Sequence, residues 1–128
     1  VKKIFYSWDE WMLEKEGMLE LIQQVNAKGY RLILASNASL RYHRYVHRLK
    51  IFSYFNDLVY SCDLKVNKPS PLFFESIIKE KGIKAEETLF IDDSLDNCRT
   101  ASQLGFHTYH FIGNVSSLKE TLEATHLI

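Results

Sequence analysis

Apolar residues alternate between helical and strand-like spacing along most of the chain. Met18, Leu21, Ile22 and Val25 follow a helical interval, and Gly29 comes shortly after them, so this segment is predicted to be a helix that ends there. The next segment, RLILAS (31–36), is a short apolar run of strand length. The same reasoning predicts further helices over 42–49, 71–81, 95–104 and 117–124, and further strands over 57–62, 88–93 and 107–112. Strands that alternate with helices predict an α/β fold, a parallel sheet flanked by helices in three layers.

The N-terminal segment shows a different pattern. Phe5, Trp8, Trp11 and Met12 are spaced as one side of a helix, and WDEWMLEKEGMLELI is a helical pattern with no buried strand in it. The sequence therefore predicts two parts, a connecting helix over residues 1–16 and the α/β core over residues 17–128.

Composition and charge narrow the range of partners. The 128 residues are most simply one domain, and the 16 basic and 16 acidic side chains cancel. No overall field then favours nucleic acid or an anionic membrane, and no apolar run approaches membrane-spanning length. The two cysteines, Cys62 and Cys98, lack metal-ligand spacing and are too few for a disulfide framework, which favours reduced thiols in a cytoplasmic protein.

Polar residues follow three of the predicted strands. Asp92 and Asp93 end the run LFIDDSLDN, and two adjacent carboxylates repel unless a cation compensates them. Ser36 and Asn37 lie at the end of the earlier strand over 31–36. Lys68 lies just before the predicted helix over 71–81, which follows the next strand. Ligands of parallel sheets bind beyond the carboxyl ends of the strands, so these groups are expected to converge. A hydroxyl, a cation and a carboxylate pair suit a phosphoryl group held between lysine and Mg²⁺.

These segments resemble three motifs of the haloacid dehalogenase superfamily, most closely its phosphatase-like branch with a helical cap. LILASN is similar to the second motif, an apolar strand that ends in Ser or Thr. NKPSPLFF is similar to the third motif, a lysine commonly followed by proline at the start of a helix. LFIDDSLDN is similar to the fourth motif, paired acids with a further Asp or Asn beyond. Three motifs in order make the resemblance specific, and it implies a Rossmann-like parallel sheet over residues 17–128.

The resemblance also implies how each residue would act. Ser36 and Lys68 would be the catalytic residues at the phosphate, since Ser36 would orient the phosphoryl oxygens and Lys68 would neutralise them, with Asn37 as a further phosphate-binding residue. Mg²⁺ is the implied cofactor. Asp93 would bind it directly, Asp92 would bind it through water, and Asn97 would support them.

This sequence differs from the superfamily at the first motif. In the superfamily it is an apolar strand that ends in Asp-x-Asp, and its first aspartate is the nucleophile that takes up the phosphoryl group. The only acids ahead of LILASN lie in the helical pattern, so the central first strand is expected to be missing from this chain. Residues 1–16 are then interpreted as the remnant of the helical cap. A segment upstream of Val1, or a second copy of the chain, is expected to complete the sheet.

The function implied by the resemblance is Mg²⁺-dependent hydrolysis of a small phosphorylated metabolite, a phosphomonoester, through an aspartyl-phosphate. This chain would carry the phosphate- and metal-binding motifs but not the nucleophile. The alternative is a non-catalytic module that keeps the fold and acts through its surface. A receiver-like phosphoacceptor domain fits less well, because the paired acids lie on the third strand of the pattern instead of the first.

Simpler interpretations exist for several of these residues. Asp92 and Asp93 could be acids favoured at a helix N-terminus, although a cap needs only one of them. His43 and His47 have the i, i+4 spacing of a helical zinc pair, but they lie among arginines without an evident third ligand, so a solvated basic face is the preferred interpretation.

Overall fold

The structure, a computed structural model, describes residues 2–7, 10–36 and 50–128. Within these ranges five strands form one sheet, in which every neighbouring pair is parallel. Their order across the sheet is β3-β2-β1-β4-β5. The strands are β1 (Lys3–Ser7), β2 (Arg31–Ser36), β3 (Asp57–Tyr60), β4 (Thr88–Asp92) and β5 (His107–His110). The predicted α/β class is therefore confirmed.

Helices connect the strands, and the helix predicted over 71–81 begins and ends at the expected residues. The hydroxyl of Ser70 accepts a hydrogen bond from the Leu72 N–H at 3.3 Å, and Pro71 takes the first helical position. That helix stops at Gly82, whose φ of 60° lies in the left-handed region that glycine adopts readily. The helices are α1 (Glu10–Leu13), α2 (Met18–Ala27), α3 (Ser61–Leu64), α4 (Pro71–Lys81), α5 (Leu95–Gln103) and α6 (Val115–Ala124), with 3₁₀ turns at Lys50–Tyr54 and Ala85–Glu87.

The central part of the sheet is buried on both faces. Leu32 and Leu34 of β2 belong to one apolar cluster, while Ile33 and Ala35 belong to another, because successive strand residues point to opposite faces. The first cluster is closed by α2, α6 and the 3₁₀ turn at Lys50–Tyr54, and the second by α4 and α5. Burial on both faces explains why β2 and β4 read as continuous apolar runs.

The centre of the sheet corrects one expectation. The central first strand is not missing, because β1 lies between β2 and β4, with Phe5 paired to Ile33 on one side and to Phe90 on the other. The helical interpretation of residues 1–16 is thus wrong for residues 3–7. A short apolar run such as KIFYS fits a strand and a buried helix equally well by periodicity, and pairing on two sides decides in favour of the strand. In this chain β1 fills the expected gap, and the expectation of a completing upstream segment or second copy stays a prediction.

Smaller differences concern the ends of elements. The strands predicted over 57–62 and 107–112 end two residues earlier, at Tyr60 and His110, and Ser61 already belongs to α3. The predicted helix over 42–49 lies outside the described residues. None of the helices in the described ranges combines the length and the apolar character needed to cross a lipid bilayer.

Candidate active site

The carboxyl ends of the three central strands lie at one level of the sheet. Tyr6 of β1 pairs with Leu34 on one side and with Ile91 on the other. The next residues along these strands are Ser7, which pairs with Ala35, and Asp92. The ends of β2 and β4 therefore flank the end of β1. Together they form the carboxyl edge of the sheet, where the sequence predicted a ligand.

Lys68 connects two of these strand ends. It lies between α3 and α4, and its side chain is only 4% exposed. Its Nζ lies 3.5 Å from the Asp92 Oδ2 and donates a hydrogen bond to the Ala35 carbonyl oxygen, also at 3.5 Å. The ammonium is also 6.0 Å from the centre of the Phe73 ring. The positive charge is thereby fixed at the carboxyl edge of the sheet.

Asp92 is the buried member of the acidic pair. Its side chain is 1% exposed, and both carboxylate oxygens have partners. Oδ1 accepts a hydrogen bond from the Ser94 N–H at 2.9 Å, and Oδ2 accepts one from the Asn97 Nδ2 at 2.9 Å in addition to the ion pair with Lys68. A buried carboxylate is tolerated in a protein when it is paired and hydrogen-bonded in this way.

Asp93 lies one residue further along the chain and is partly exposed. Its carbonyl oxygen accepts a hydrogen bond from the His110 Nε2 at 2.9 Å, so the proton of that ring is assigned to Nε2. The two acids of the pair consequently occupy different surroundings, one inside the domain and one at its surface.

Cys98 is a buried thiol next to this site. Its Sγ lies 3.8 Å from the Asp92 carbonyl oxygen and 3.7 Å from that of Tyr109. Burial, followed by the negative charge of Asp92, raises the pKa of the Cys98 thiol to about 12. A thiol with so high a pKa stays protonated near neutral pH, so it suits neither metal binding nor nucleophilic attack.

The acidic pair fits a hydrated Mg²⁺ ion. Carboxylate oxygens are the ligands that Mg²⁺ prefers, and the ion usually keeps several waters beside one or two carboxylates. Asp92 and Asp93, adjacent at the carboxyl end of β4, are the carboxylates of this edge that could hold such an ion. In the part of the chain that the structure describes, no group of three or more His, Cys, Asp or Glu side chains gathers in a way that could hold a metal.

The structure brings together Lys68, Asp92 and Asn97, with Asp93 adjacent in the chain. Ser36 is the last residue of β2, at the same edge. Asn37 and the histidines 43 and 47 lie outside the described residues, so the roles predicted for them stay predictions.

Three further residues of this edge were missed by sequence reasoning. Ser94 comes directly before the predicted helix at Leu95, which is the usual position of a capping serine, and its hydroxyl does accept the Asn97 N–H. Ser7 ends KIFYS, an apolar run of strand length. His110 has no local signal, because only strand pairing places it opposite Asp92.

Comparison with known proteins identifies a family of hydrolases and several similar phosphatases. The family model for haloacid dehalogenase-like hydrolases matches residues 6–105. The chain is similar to flavin mononucleotide hydrolase 1 of Arabidopsis thaliana, with 28% identity over 107 residues, and to glyceraldehyde 3-phosphate phosphatase of Methanocaldococcus jannaschii, with 27% identity over 96 residues. The matches cover 84% and 73% of this chain but only 43% and 42% of those relatives, so it spans less than half of their length.

Solved structures show the same fold. A protein from Corynebacterium glutamicum superimposes with a TM-score of 0.78 over 99% of this chain and 96% of its own, at 16% identity. A haloacid dehalogenase family enzyme from Bacteroides thetaiotaomicron, solved in complex with magnesium and inorganic phosphate, superimposes with a TM-score of 0.71 at 32% identity. That likeness covers 78% of this chain and 55% of the enzyme.

Proposed function

Because this chain belongs to the haloacid dehalogenase-like hydrolases, we propose that its carboxyl edge forms the phosphate and Mg²⁺ site of a phosphomonoester hydrolase. The observation that carries the proposal is the buried Lys68 ammonium, held between the Ala35 carbonyl and Asp92 beside the partly exposed Asp93. At one edge of the sheet, a fixed ammonium can bind an anionic ligand and a surface carboxylate can bind the metal ion that accompanies it. The similar enzyme from Bacteroides thetaiotaomicron, solved with magnesium and inorganic phosphate, supports this choice.

Each residue of the site has a distinct proposed role. Lys68 neutralises a phosphoryl oxygen, and Ser36, the last residue of β2, and Asn37, the next residue in the sequence, donate hydrogen bonds to the same group. Asp93 would hold Mg²⁺ directly and Asp92 through water, and Asn97 keeps the Asp92 carboxylate in place. The metal, when bound, supplies positive charge that stabilises the phosphoryl oxygens as the ester bond breaks. The ligand is proposed to be a small phosphorylated metabolite.

The hydrolytic step itself needs a nucleophile at the end of the central strand. In the aspartyl-phosphate route, a carboxylate oxygen attacks phosphorus, the bond to the alcohol breaks, and water then hydrolyses the acyl phosphate. In this chain β1 ends in Ser7, followed by Trp8 and Asp9, where the superfamily has Asp-x-Asp. A serine hydroxyl cannot form an acyl phosphate, and Trp8 and Asp9 lie outside the described residues.

This serine favours one alternative function. A chain that keeps Lys68 and the acidic pair but ends its central strand in Ser7 would bind phosphate without hydrolysing it. It would then be a non-catalytic module of the same family. The encoded sequence upstream of Val1 distinguishes the two functions, because an apolar strand ending in Asp-x-Asp there would restore the nucleophile if it took the central place that β1 holds in this chain.

A turnover assay tests whether this chain by itself supplies the nucleophile, while phosphate binding in the presence of Mg²⁺ tests the proposed site. With saturating Mg²⁺ and 4-nitrophenyl phosphate, the 128-residue chain is expected to release no nitrophenol above the rate of a Lys68→Met control, because it lacks the carboxylate nucleophile. Robust turnover that disappears in the Lys68→Met variant would contradict the missing nucleophile, and Asp9→Asn would then be the first variant to examine.

A further inference from the structure

His110 makes a hydrogen bond that the proposed function does not yet use. Its ring Nε2 donates to the carbonyl oxygen of Asp93 at 2.9 Å, although the ring itself is exposed. We infer that His110 is a positioning residue for Asp93, which holds the main chain of that residue in the orientation that Mg²⁺ binding needs. This inference rests on the proposed metal site.

The main chain around Asp93 is tied to β5 on both sides of its Cα. Before it, the Asp92 carbonyl oxygen accepts the Phe111 N–H at 2.8 Å, which continues the ladder between β4 and β5. After it, the carbonyl of the 93–94 peptide accepts the His110 ring N–H, and the N–H of the same peptide donates to the Asp92 Oδ1 at 2.9 Å. Both peptides that determine the direction of the Asp93 side chain are therefore fixed.

Of these three bonds, only the one from His110 comes from an exposed side chain that can be replaced without entering the core. Its loss would remove the hydrogen bond to the carbonyl oxygen of the 93–94 peptide. The peptide could then rotate, and the Asp93 carboxylate would spend less time in the direction that binds the metal. Outer residues that orient metal ligands commonly affect metal affinity without touching the ion.

The same strand offers a matched control at its other end. The His107 Nε2 donates to the Glu86 carbonyl oxygen at 2.9 Å, and His107 is also exposed. It ties β5 to the 3₁₀ turn at Ala85–Glu87, at the edge of the sheet opposite the site. The two histidines make equivalent bonds, and they differ in whether the partner peptide belongs to a proposed metal ligand.

The experiment measures Mg²⁺ affinity by isothermal titration calorimetry for the chain and for its His110→Ala, His110→Gln and His107→Ala variants, with urea unfolding of each. We expect His110→Ala to weaken Mg²⁺ binding about three- to tenfold. His107→Ala should leave the affinity unchanged while lowering stability to a similar extent. His110→Gln should restore part of the affinity, because its amide N–H can donate to the same carbonyl.

Several outcomes overturn the inference. Unchanged Mg²⁺ affinity in His110→Ala, an equal loss in His107→Ala, or no recovery in His110→Gln would each show that the hydrogen bond does not position Asp93. If the parent chain itself binds no Mg²⁺, the proposed metal site fails and the inference fails with it. The parent titration therefore separates the two failures.

Discussion

Replacing Lys68 by methionine should destabilise the domain by about 3–5 kcal/mol, the cost of leaving a buried charge without its partner. Methionine fills similar space but carries no charge, so the Asp92 carboxylate, 1% exposed, would keep its two hydrogen bonds and lose its cation. Urea unfolding measures this loss. In the fraction that remains folded, phosphate binding should also be abolished.

The double variant Lys68→Met, Asp92→Asn shows whether the charge is responsible. Because it removes both charges, it should recover a large part of the lost stability, with the Asn97 amide turning over to accept a hydrogen bond. Lys79→Met, which removes an exposed lysine from α4, should change stability by less than about 0.5 kcal/mol. A Lys68→Met variant as stable as the Lys79→Met control would contradict the buried ion pair.

Asp93→Asn should weaken Mg²⁺ binding at least about tenfold while leaving the fold intact. The amide keeps the size of the side chain but removes the negative charge that attracts the ion. Calorimetric titration with Mg²⁺ measures the effect. The structure predicts a smaller change in stability than for Lys68→Met, because Asp93 is partly exposed.

Asp96→Asn is the matched control for that variant. Asp96 is an exposed acid in the first turn of α5, three residues from Asp93, and it should leave Mg²⁺ affinity within about twofold of the parent. If the two variants lose affinity equally, general negative charge at the start of α5 attracts the ion and Asp93 is not its ligand.

The sequence predicted those parts of the fold whose signals are local. The N-cap at Ser70 and Pro71, the stop at Gly82 and the short apolar run LFI before Asp92 each depend on neighbours in the chain, and each was confirmed. The grouping of Lys68 with Asp92 was also predictable, because parallel strands bring their carboxyl ends to one edge.

The central strand and the details of the site depended on pairing across the sheet. KIFYS was assigned to a helix because helical residues follow it, and only its two strand partners identify it as β1. The division of the acids into a buried Asp92 and a partly exposed Asp93 follows from the contacts of Ser94, Asn97 and Lys68, which no spacing rule contains. The roles of Ser36 and Asn37 at the phosphate and the cytoplasmic location stay predictions.

Phosphate titration with and without Mg²⁺ tests the central claim most directly, namely that one edge of the sheet binds both. If Lys68 and Asp93 serve a single site, inorganic phosphate should bind the 128-residue chain more tightly when Mg²⁺ is saturating, and Mg²⁺ should gain affinity by the same factor in the presence of phosphate. Phosphate binding that is undetectable, or that has the same affinity with and without Mg²⁺, would contradict the account.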